Sequence, residues 1–258
     1  MRKQEIREKL FDIYAINLSQ AVPGIRDTFR CPICLRDFNR SDLEADQALT
    51  LGHIIPDALG GSIYTLECGK CNSSIGAAYD SHAANMKKFR DWLNMKEGAE
   101  KFVRISDGVS TVSAMASWEA DHKLVIKATD WEDPNYKEQA KRMFLQQNNP
   151  SFTLNLNSKS IPERETISTI HSAFLMMFYC FGYEYLLSSE ADIIRTIINE
   201  HKAPWDIRKM VADMMETLPF PIPAAGVIRE PQDIKSFIVI LPNPEDAERA
   251  RIVFFPGR

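Results

Sequence analysis

The spacing of apolar residues predicts helices at both ends of the first hundred residues. Apolar side chains recur at intervals of three or four from Ile6 to Leu18, so residues 2–18 are expected to form an amphipathic helix. Between residues 30 and 94, a turn-rich front half contains a strand-like run at 48–55, and the segment from Asn72 onward has the helical period. The first hundred residues are therefore expected to pair short strands with a following helix.

The second part of the chain mixes both periods, which is typical of an α+β domain. Strands are predicted at five short β-favouring runs: 102–105, 124–128, 152–156, 237–241 and 252–255. Helices are predicted at 135–147, 163–187, 190–201 and 205–217. The helix at 163–187 is rich in aromatic residues and apolar nearly all round, so it is expected to be buried in a core, with Cys180 as a buried free thiol.

These patterns predict an α+β protein in three parts. The expected parts are an N-terminal helix at 1–27, a cysteine-bearing module at 28–98, and an α+β domain of unknown role at 99–258. The sequence alone assigns no activity to the third part.

Composition changes this interpretation only slightly. The formal net charge of -4 argues against a protein that coats nucleic acid non-specifically, since such binding rests on many Lys and Arg contacts. The charged N-terminus lacks the apolar core of a secretory signal, and the most apolar run, 173–183, is about half the length that spans a bilayer. We therefore expect a cytoplasmic protein with no membrane partner; a protein partner or a homodimer is left open.

Four of the five cysteines form two C-x2-C pairs, Cys31 with Cys34 and Cys68 with Cys71, separated by 33 residues. Two such pairs supply the four tetrahedral ligands of a structural Zn²⁺, and they leave the ion no open position for catalysis. Two disulfides are the alternative, although a reducing compartment disfavours them.

The segment between and after the pairs resembles the zinc-knuckle subtype of the HNH (ββα-metal) endonuclease family. The resemblance rests on His53-Ile54-Ile55-Pro56, on Gly60-Gly61, and on Cys68-x-x-Cys71-Asn72 followed by Gly76, and it covers about residues 28–94. It implies a ββα-metal module that hydrolyses DNA phosphodiester bonds with a divalent ion, Mg²⁺ or Mn²⁺.

The resemblance also assigns roles to three residues. It makes His53 the general base that deprotonates the attacking water, and it makes Asn72 a ligand of the catalytic ion. Asp80, where such relatives tend to carry an acidic residue, is the further catalytic and metal-binding candidate. For Asn72 a helix N-cap is the alternative role, and for Asp80 a solvated helix charge.

Two positions depart from the family pattern. Gly52 stands where many members carry an acidic or histidine metal ligand, and Ile63 stands where the middle asparagine is usual. Glu44 and Asp46 are additional oxygen donors in reach, and His82 is either a ligand or a packed histidine. A non-catalytic zinc-fold protein that binds nucleic acid or acts as an adaptor is therefore the alternative, and an RNA-cutting enzyme is a third.

Overall fold

A computed structural model describes residues 3–129, 134–145, 152–156, 161–200, 211–213, 224–228, 236–243 and 246–256. The α-helices are α1 (Lys3–Ala21), α2 (Gly69–Ile75), α3 (Ser81–Leu93), α4 (Pro134–Leu145), α5 (Pro162–Phe181), α6 (Tyr183–Leu186) and α7 (Ser189–Glu200). The mixture of these helices with strands confirms the predicted α+β class.

The strands pair antiparallel throughout the described residues. They are β1 (Thr28–Arg30), β2 (Asp37–Asn39), β3 (Leu49–His53), β4 (Tyr64–Cys68), β5 (Glu100–Ser106), β6 (Thr111–Glu119), β7 (Lys123–Ala128), β8 (Thr153–Leu156), β9 (Val211–Asp213), β10 (Ala224–Ile228), β11 (Ser236–Asn243) and β12 (Asp246–Pro256). β1 pairs with β2 and β3 with β4. Two four-stranded sheets have the orders β7-β6-β5-β8 and β10-β11-β12-β9.

The chain divides into two compact units, of which the first is made from both ends of the sequence. It contains Met1–Ala83 and Ile161–Arg258, whereas the second contains Ala84–Ser160. This division differs from the predicted one, in which every residue after 98 belonged to a separate domain. The difference arises because α5 packs among the N-terminal elements rather than apart from them.

Aromatic packing between α1, β1 and α5 holds the first unit together. Tyr14 of α1 stacks on Phe178 of α5 with 4.3 Å between ring centroids, and Phe29 of β1 lies 5.9 Å from Tyr14 and 6.4 Å from Phe178. All three side chains are buried. Full burial of one such side chain contributes roughly 1.5–3 kcal/mol, so this contact is a substantial tie between residues far apart in sequence.

The second unit packs α4 and the end of α3 on the β5–β8 sheet. Ala140 and Met143 of α4 are buried in its core, and Trp92 of α3 donates its indole N–H to the carbonyl oxygen of Ala116 at 3.1 Å. Strand β6 was not predicted, because its inward positions include the small residues Ala114 and Ala116, which give little hydrophobic contrast.

In the later chain, three predictions differ from the structure and one strand was not predicted. The predicted helix 163–187 is divided at Gly182 into α5 and α6. Residues 211–213 of the predicted helix 205–217 form strand β9, and the rest of that helix lies outside the described residues. Strand β10 was not predicted. Cys180 is exposed, not buried as expected, because it lies in the last turn of α5 beyond the buried run that ends at Phe178.

The other late elements agree with prediction. The burial of α5 is confirmed from Ile167 to Phe178, and the late strands 237–241 and 252–255 lie within β11 and β12. Within the described residues, no helix combines the length and the apolar character that crossing a membrane requires.

A double hydrogen bond from Tyr183 ties α6 to β1. Its hydroxyl donates to the carbonyl oxygen of Arg30 at 2.6 Å and accepts from the amide N–H of Arg30 at 2.9 Å. We expect Tyr183→Phe to lower the free energy of unfolding by about 1–3 kcal/mol, because both backbone groups lose their partner. Urea unfolding measures this. Tyr179→Phe, at an exposed position of α5, should change stability by less than about 0.5 kcal/mol. Equal effects of the two substitutions would contradict the assignment.

Candidate functional site

The candidate site is built from the β3–β4 hairpin and the helix that follows it. The register pairs Leu49 with Cys68 and His53 with Tyr64, so the end of β3 lies beside the start of β4. α2 begins at Gly69, directly after β4. Two antiparallel strands followed immediately by a helix give the ββα order that the sequence predicted.

Four thiols meet at the base of this hairpin. The sulfur atoms of Cys31, Cys34, Cys68 and Cys71 all lie within 4.8 Å of one another, and those of Cys34 and Cys68 are 3.7 Å apart. Four ligands about 2.3 Å from one tetrahedral ion would be separated by about 3.8 Å. The cluster therefore fits a metal ion. None of the four is in a disulfide, which removes the alternative pairing.

Close backbone packing brings the second cysteine pair to this position. The amide N–H of Gly69 donates to the carbonyl oxygen of Ala48 at 3.0 Å, and a Cβ at residue 69 would lie 1.9 Å from the carbonyl oxygen of Gln47. Only glycine allows that approach. The tight turn after Cys68 thus depends on a residue without a side chain.

Hydrogen bonds within the cluster lower the pKa of Cys34 and Cys68, which favours their thiolate, the metal-binding form of cysteine, whereas the pKa values of Cys31 and Cys71 are raised. Hydrogen bonding from the Cys31 thiol lowers the pKa of Cys34 to about 6 and also lowers the pKa of Cys68, while the pKa of Cys31 itself is raised by its role as donor. Arg36 adds a donor to the Cys68 sulfur at 3.5 Å. Negative charge is therefore stabilised at two of the four sulfur atoms, those of Cys34 and Cys68.

His53 lies at the end of β3 with its side chain 29% exposed. Its ring packs at 4.6 Å against the ring of Tyr64, and its Nε2 atom is 4.0 Å from the carboxylate of Asp57. The imidazole is thus steadied on one side by an aromatic ring and remains open to solvent. A water molecule can therefore reach it.

Asn72 lies in α2 and is hydrogen bonded to the strand that carries His53. Its side-chain nitrogen donates to the hydroxyl of Thr50 at 3.1 Å and to the carbonyl oxygen of Leu51 at 3.4 Å. The N-cap of α2 is Cys68, whose sulfur accepts from the amide of Cys71, so Asn72 is not the cap of this helix. Since both bonds use the amide nitrogen, the amide oxygen is the atom of Asn72 available to an ion.

A π-turn separates Asn72 from Asp80. Residues Gly76–Asp80 form this turn between α2 and α3. In a regular α-helix Asp80 would point about 80° away from Asn72, but the extra residue that a π-turn inserts reduces this to about 20°. The turn therefore places both residues on nearly the same face. Asp80 accepts a hydrogen bond from the hydroxyl of Ser168, in α5, at 2.7 Å.

A buried pair that the sequence analysis did not assign lies next to these residues. Glu67 of β4 is fully buried, and its Oε1 atom is 3.4 Å from Nε2 of His171, which is buried in α5. Burial opposes the charged imidazolium, but Glu67 and then Asp80 outweigh it, so the pKa of His171 is raised. The signals in the sequence were one acid in an otherwise apolar strand and one histidine in an apolar helix.

The remaining candidates are placed apart from this pair. His82 accepts a hydrogen bond at Nδ1 from the amide of Ile161 at 3.2 Å, and its Nε2 lies 3.1 Å from Arg164, so it is packed at the start of α5. Glu44 and Asp46 are exposed in the segment before β3. Within the described part of the chain, the four cysteines form the one group of three or more Cys, His, Asp and Glu ligand atoms that all lie within 4.8 Å.

Comparison with known proteins assigns the module. The family model described as HNH endonuclease matches residues 31–88, which include the four cysteines, the β3–β4 hairpin, α2, the π-turn and the first part of α3. No curated protein and no solved structure gives a significant match to the chain. The match agrees with the resemblance seen in the sequence and indicates nuclease activity on a nucleic acid. Residues 31–88 thus match the HNH endonuclease family.

Proposed function

We propose that this protein is a DNA endonuclease that depends on a divalent metal ion and uses His53 as its general base. The observation that carries the proposal is the position of His53, half-exposed at the end of β3, next to a helix whose Asn72 is bonded to the same strand. A base and a ligand are thereby held on neighbouring elements.

His53 has the surroundings that a general base needs. Its exposed fraction lets a water molecule donate a hydrogen bond to a ring nitrogen, and an imidazole accepts a proton readily near neutral pH. After the proton transfer, the imidazolium would lie 4.0 Å from the carboxylate of Asp57. The ring of Tyr64 limits the movement of the imidazole and so keeps it aimed at one point.

Asn72 and Asp80 are the oxygen donors proposed to hold Mg²⁺ or Mn²⁺. An amide oxygen and a carboxylate are the hard ligands that these ions prefer, and the π-turn turns both toward one side of the helix. When bound there, the ion would offset the charge on the phosphate oxygens and stabilise the leaving 3′ oxygen. Thr50 and Ser168 orient the two ligands by hydrogen bonds.

The four-thiol cluster is proposed to hold a structural Zn²⁺. All four sulfur atoms are at ligand distance from one another, and four thiolates leave no position for a substrate. Its role is to connect the turn that starts at Cys31 to the junction between β4 and α2.

Two other functions remain as alternatives. Gly52 and Ile63 lack the family's usual side chains, which favours a non-catalytic protein that binds nucleic acid or acts as an adaptor. Hydrolysis by water does not require a 2′-hydroxyl, so RNA is a further candidate substrate. Incubation of supercoiled plasmid or of single-stranded RNA with the protein, with and without Mn²⁺, separates these functions from a DNA endonuclease.

Replacement of His53 tests the mechanism. We expect His53→Ala to lower the rate of plasmid cleavage in Mn²⁺ by about 10²–10⁴-fold, because the attacking water loses its proton acceptor. The melting temperature should stay within a few degrees of the parent, since the side chain is not fully buried.

The control for this substitution is His122→Asn in the second unit. His122 is exposed and has a left-handed backbone, with φ of 56°, that asparagine tolerates. This variant should cleave at the parent rate. Cleavage by His53→Ala at the parent rate under saturating Mn²⁺ would exclude His53 as the base.

Replacement of a clustered cysteine tests the zinc site. We expect the parent to contain one zinc ion per chain by elemental analysis, and Cys68→Ser to lose it and to melt at a much lower temperature, because zinc binding contributes folding free energy. Cys180→Ser removes an exposed thiol outside the cluster and should keep the zinc and the melting temperature. A parent protein without bound metal, or equal effects of both substitutions, would refute the assignment.

A further inference from the structure

A polar cluster is buried in the first unit, between the β3–β4 hairpin and α5. Glu67 of β4 is completely buried, and His171 of α5 is 4% exposed. Their neighbours along the chain, Ile170, Ala173 and Phe174 of α5 and Leu66 of β4, are also buried. Charged groups in such surroundings are normally paired, hydrogen bonded or bound to a metal ion.

Hydrogen bonds do not satisfy this cluster. Neither carboxylate oxygen of Glu67 has a hydrogen-bond partner, and neither does Nε2 of His171. The two groups approach to 3.4 Å, which is longer than the 2.7–2.9 Å typical of a charge-assisted hydrogen bond. A nitrogen and an oxygen that each lie 2.0–2.2 Å from one ion are separated by about 3.0–3.5 Å. The observed distance of 3.4 Å lies at the upper end of this range and is therefore compatible with two neighbouring ligands.

The position of Glu67 also accounts for Gly52. A Cβ built on Gly52 would lie 2.0 Å from Oε2 of Glu67, so the carboxylate occupies the space that a side chain at position 52 would fill. Glu67 is paired in register with Thr50, the residue whose hydroxyl accepts from Asn72. The carboxylate of Glu67 therefore lies on the same face of the hairpin as the amide of Asn72.

A second carboxylate adds to the negative charge. Asp80 is held by Ser168, one helical turn before His171 in α5, and its charge acts on His171. The ligand atoms of Asp80, Glu67 and His171 do not all lie within 4.8 Å, so Glu67 and His171 are the pair that the structure already brings to ligand distance. Asn72 and Asp80 are only half-buried, so the cluster reaches the surface at their edge.

We propose that Glu67 and His171 are direct ligands of the divalent ion, in addition to Asn72 and Asp80. Glu67 supplies from β4 the carboxylate that Gly52 cannot supply from β3. His171 supplies an imidazole from α5, a helix that lies outside the matched segment 31–88. This inference rests on the proposed nuclease function for the location of the ion, but it is tested by metal binding without DNA.

The affinity of the site is measured by titrating the zinc-loaded full chain with Mn²⁺. The EPR signal of free Mn²⁺ is recorded at each step, and its loss reports binding. We expect one Mn²⁺ to bind to the parent, and Glu67→Gln and His171→Gln each to weaken binding at least about tenfold. His82→Gln is the matched control, because His82 is a half-buried histidine of the same unit that contacts the start of α5. It should bind Mn²⁺ as the parent does.

Pulsed EPR of the Mn²⁺-loaded parent detects a nitrogen ligand in the unaltered protein. We expect a nitrogen coupling from one imidazole that persists in His53→Ala and His82→Gln and disappears in His171→Gln. Failure of the parent to bind Mn²⁺, absence of the nitrogen coupling, or unchanged affinity in both Glu67→Gln and His171→Gln would overturn the proposal.

These outcomes are separable from the outcome of the cleavage assay. Binding that depends on Glu67 and His171, in a protein that cuts no nucleic acid, supports the metal site and refutes the nuclease. Cleavage that depends on His53, with Mn²⁺ affinity unchanged in both variants, supports the nuclease and refutes these ligands.

Discussion

The structure of the candidate site depends on the cluster of four thiols. Cys68 ends β4 and Cys71 lies in the first turn of α2, so the cluster fixes the angle between the hairpin and the helix. Glu67 directly precedes the second cysteine pair and Asn72 directly follows it. The same four sulfur atoms therefore set the distance between the buried carboxylate of Glu67 and the half-buried amide of Asn72. Because the cluster lies at the base of the hairpin, its disruption would disturb both residues together.

Helix α5 supplies the second constraint, from a distant part of the sequence. Its aromatic contact with α1 and the hydrogen bond from Ser168 to Asp80 join it both to the N-terminal helix and to the matched segment. The module matched by the family is therefore not a separate folding unit in this chain, since its core is completed by α1 and α5. A short ββα element has too little apolar surface to fold alone without a metal or such support. Its geometry at Asp80 consequently depends on residues outside the family segment.

The sequence was informative where the signal is local and failed where contacts are distant. Two C-x2-C pairs specify ligand chemistry by spacing, and the helical period from Asn72 predicted a helix, so the cluster and the ββα order could be read directly. The π-turn could not, because no pattern in the sequence marks the place where one residue is inserted into a helix. Nor could the pairing of Glu67 with His171, which joins residues about one hundred positions apart. Apolar content predicted the burial of α5 but not the elements that it packs against. The sequence therefore did not predict that residues from 161 onward join the N-terminal residues in one compact unit.

The contact between Gly52 and Glu67 changes how the departure from the family pattern should be interpreted. Considered alone, a glycine in place of an acidic residue removes a metal ligand and favours a non-catalytic protein. In the structure, however, positions 52 and 67 compete for one space, because a Cβ on residue 52 would lie 2.0 Å from the carboxylate of Glu67. An acidic side chain at 52 would also bring two buried carboxylates together, which electrostatic repulsion opposes. The glycine is therefore a condition for Glu67 to be buried there, and its presence does not by itself argue for the loss of a metal site.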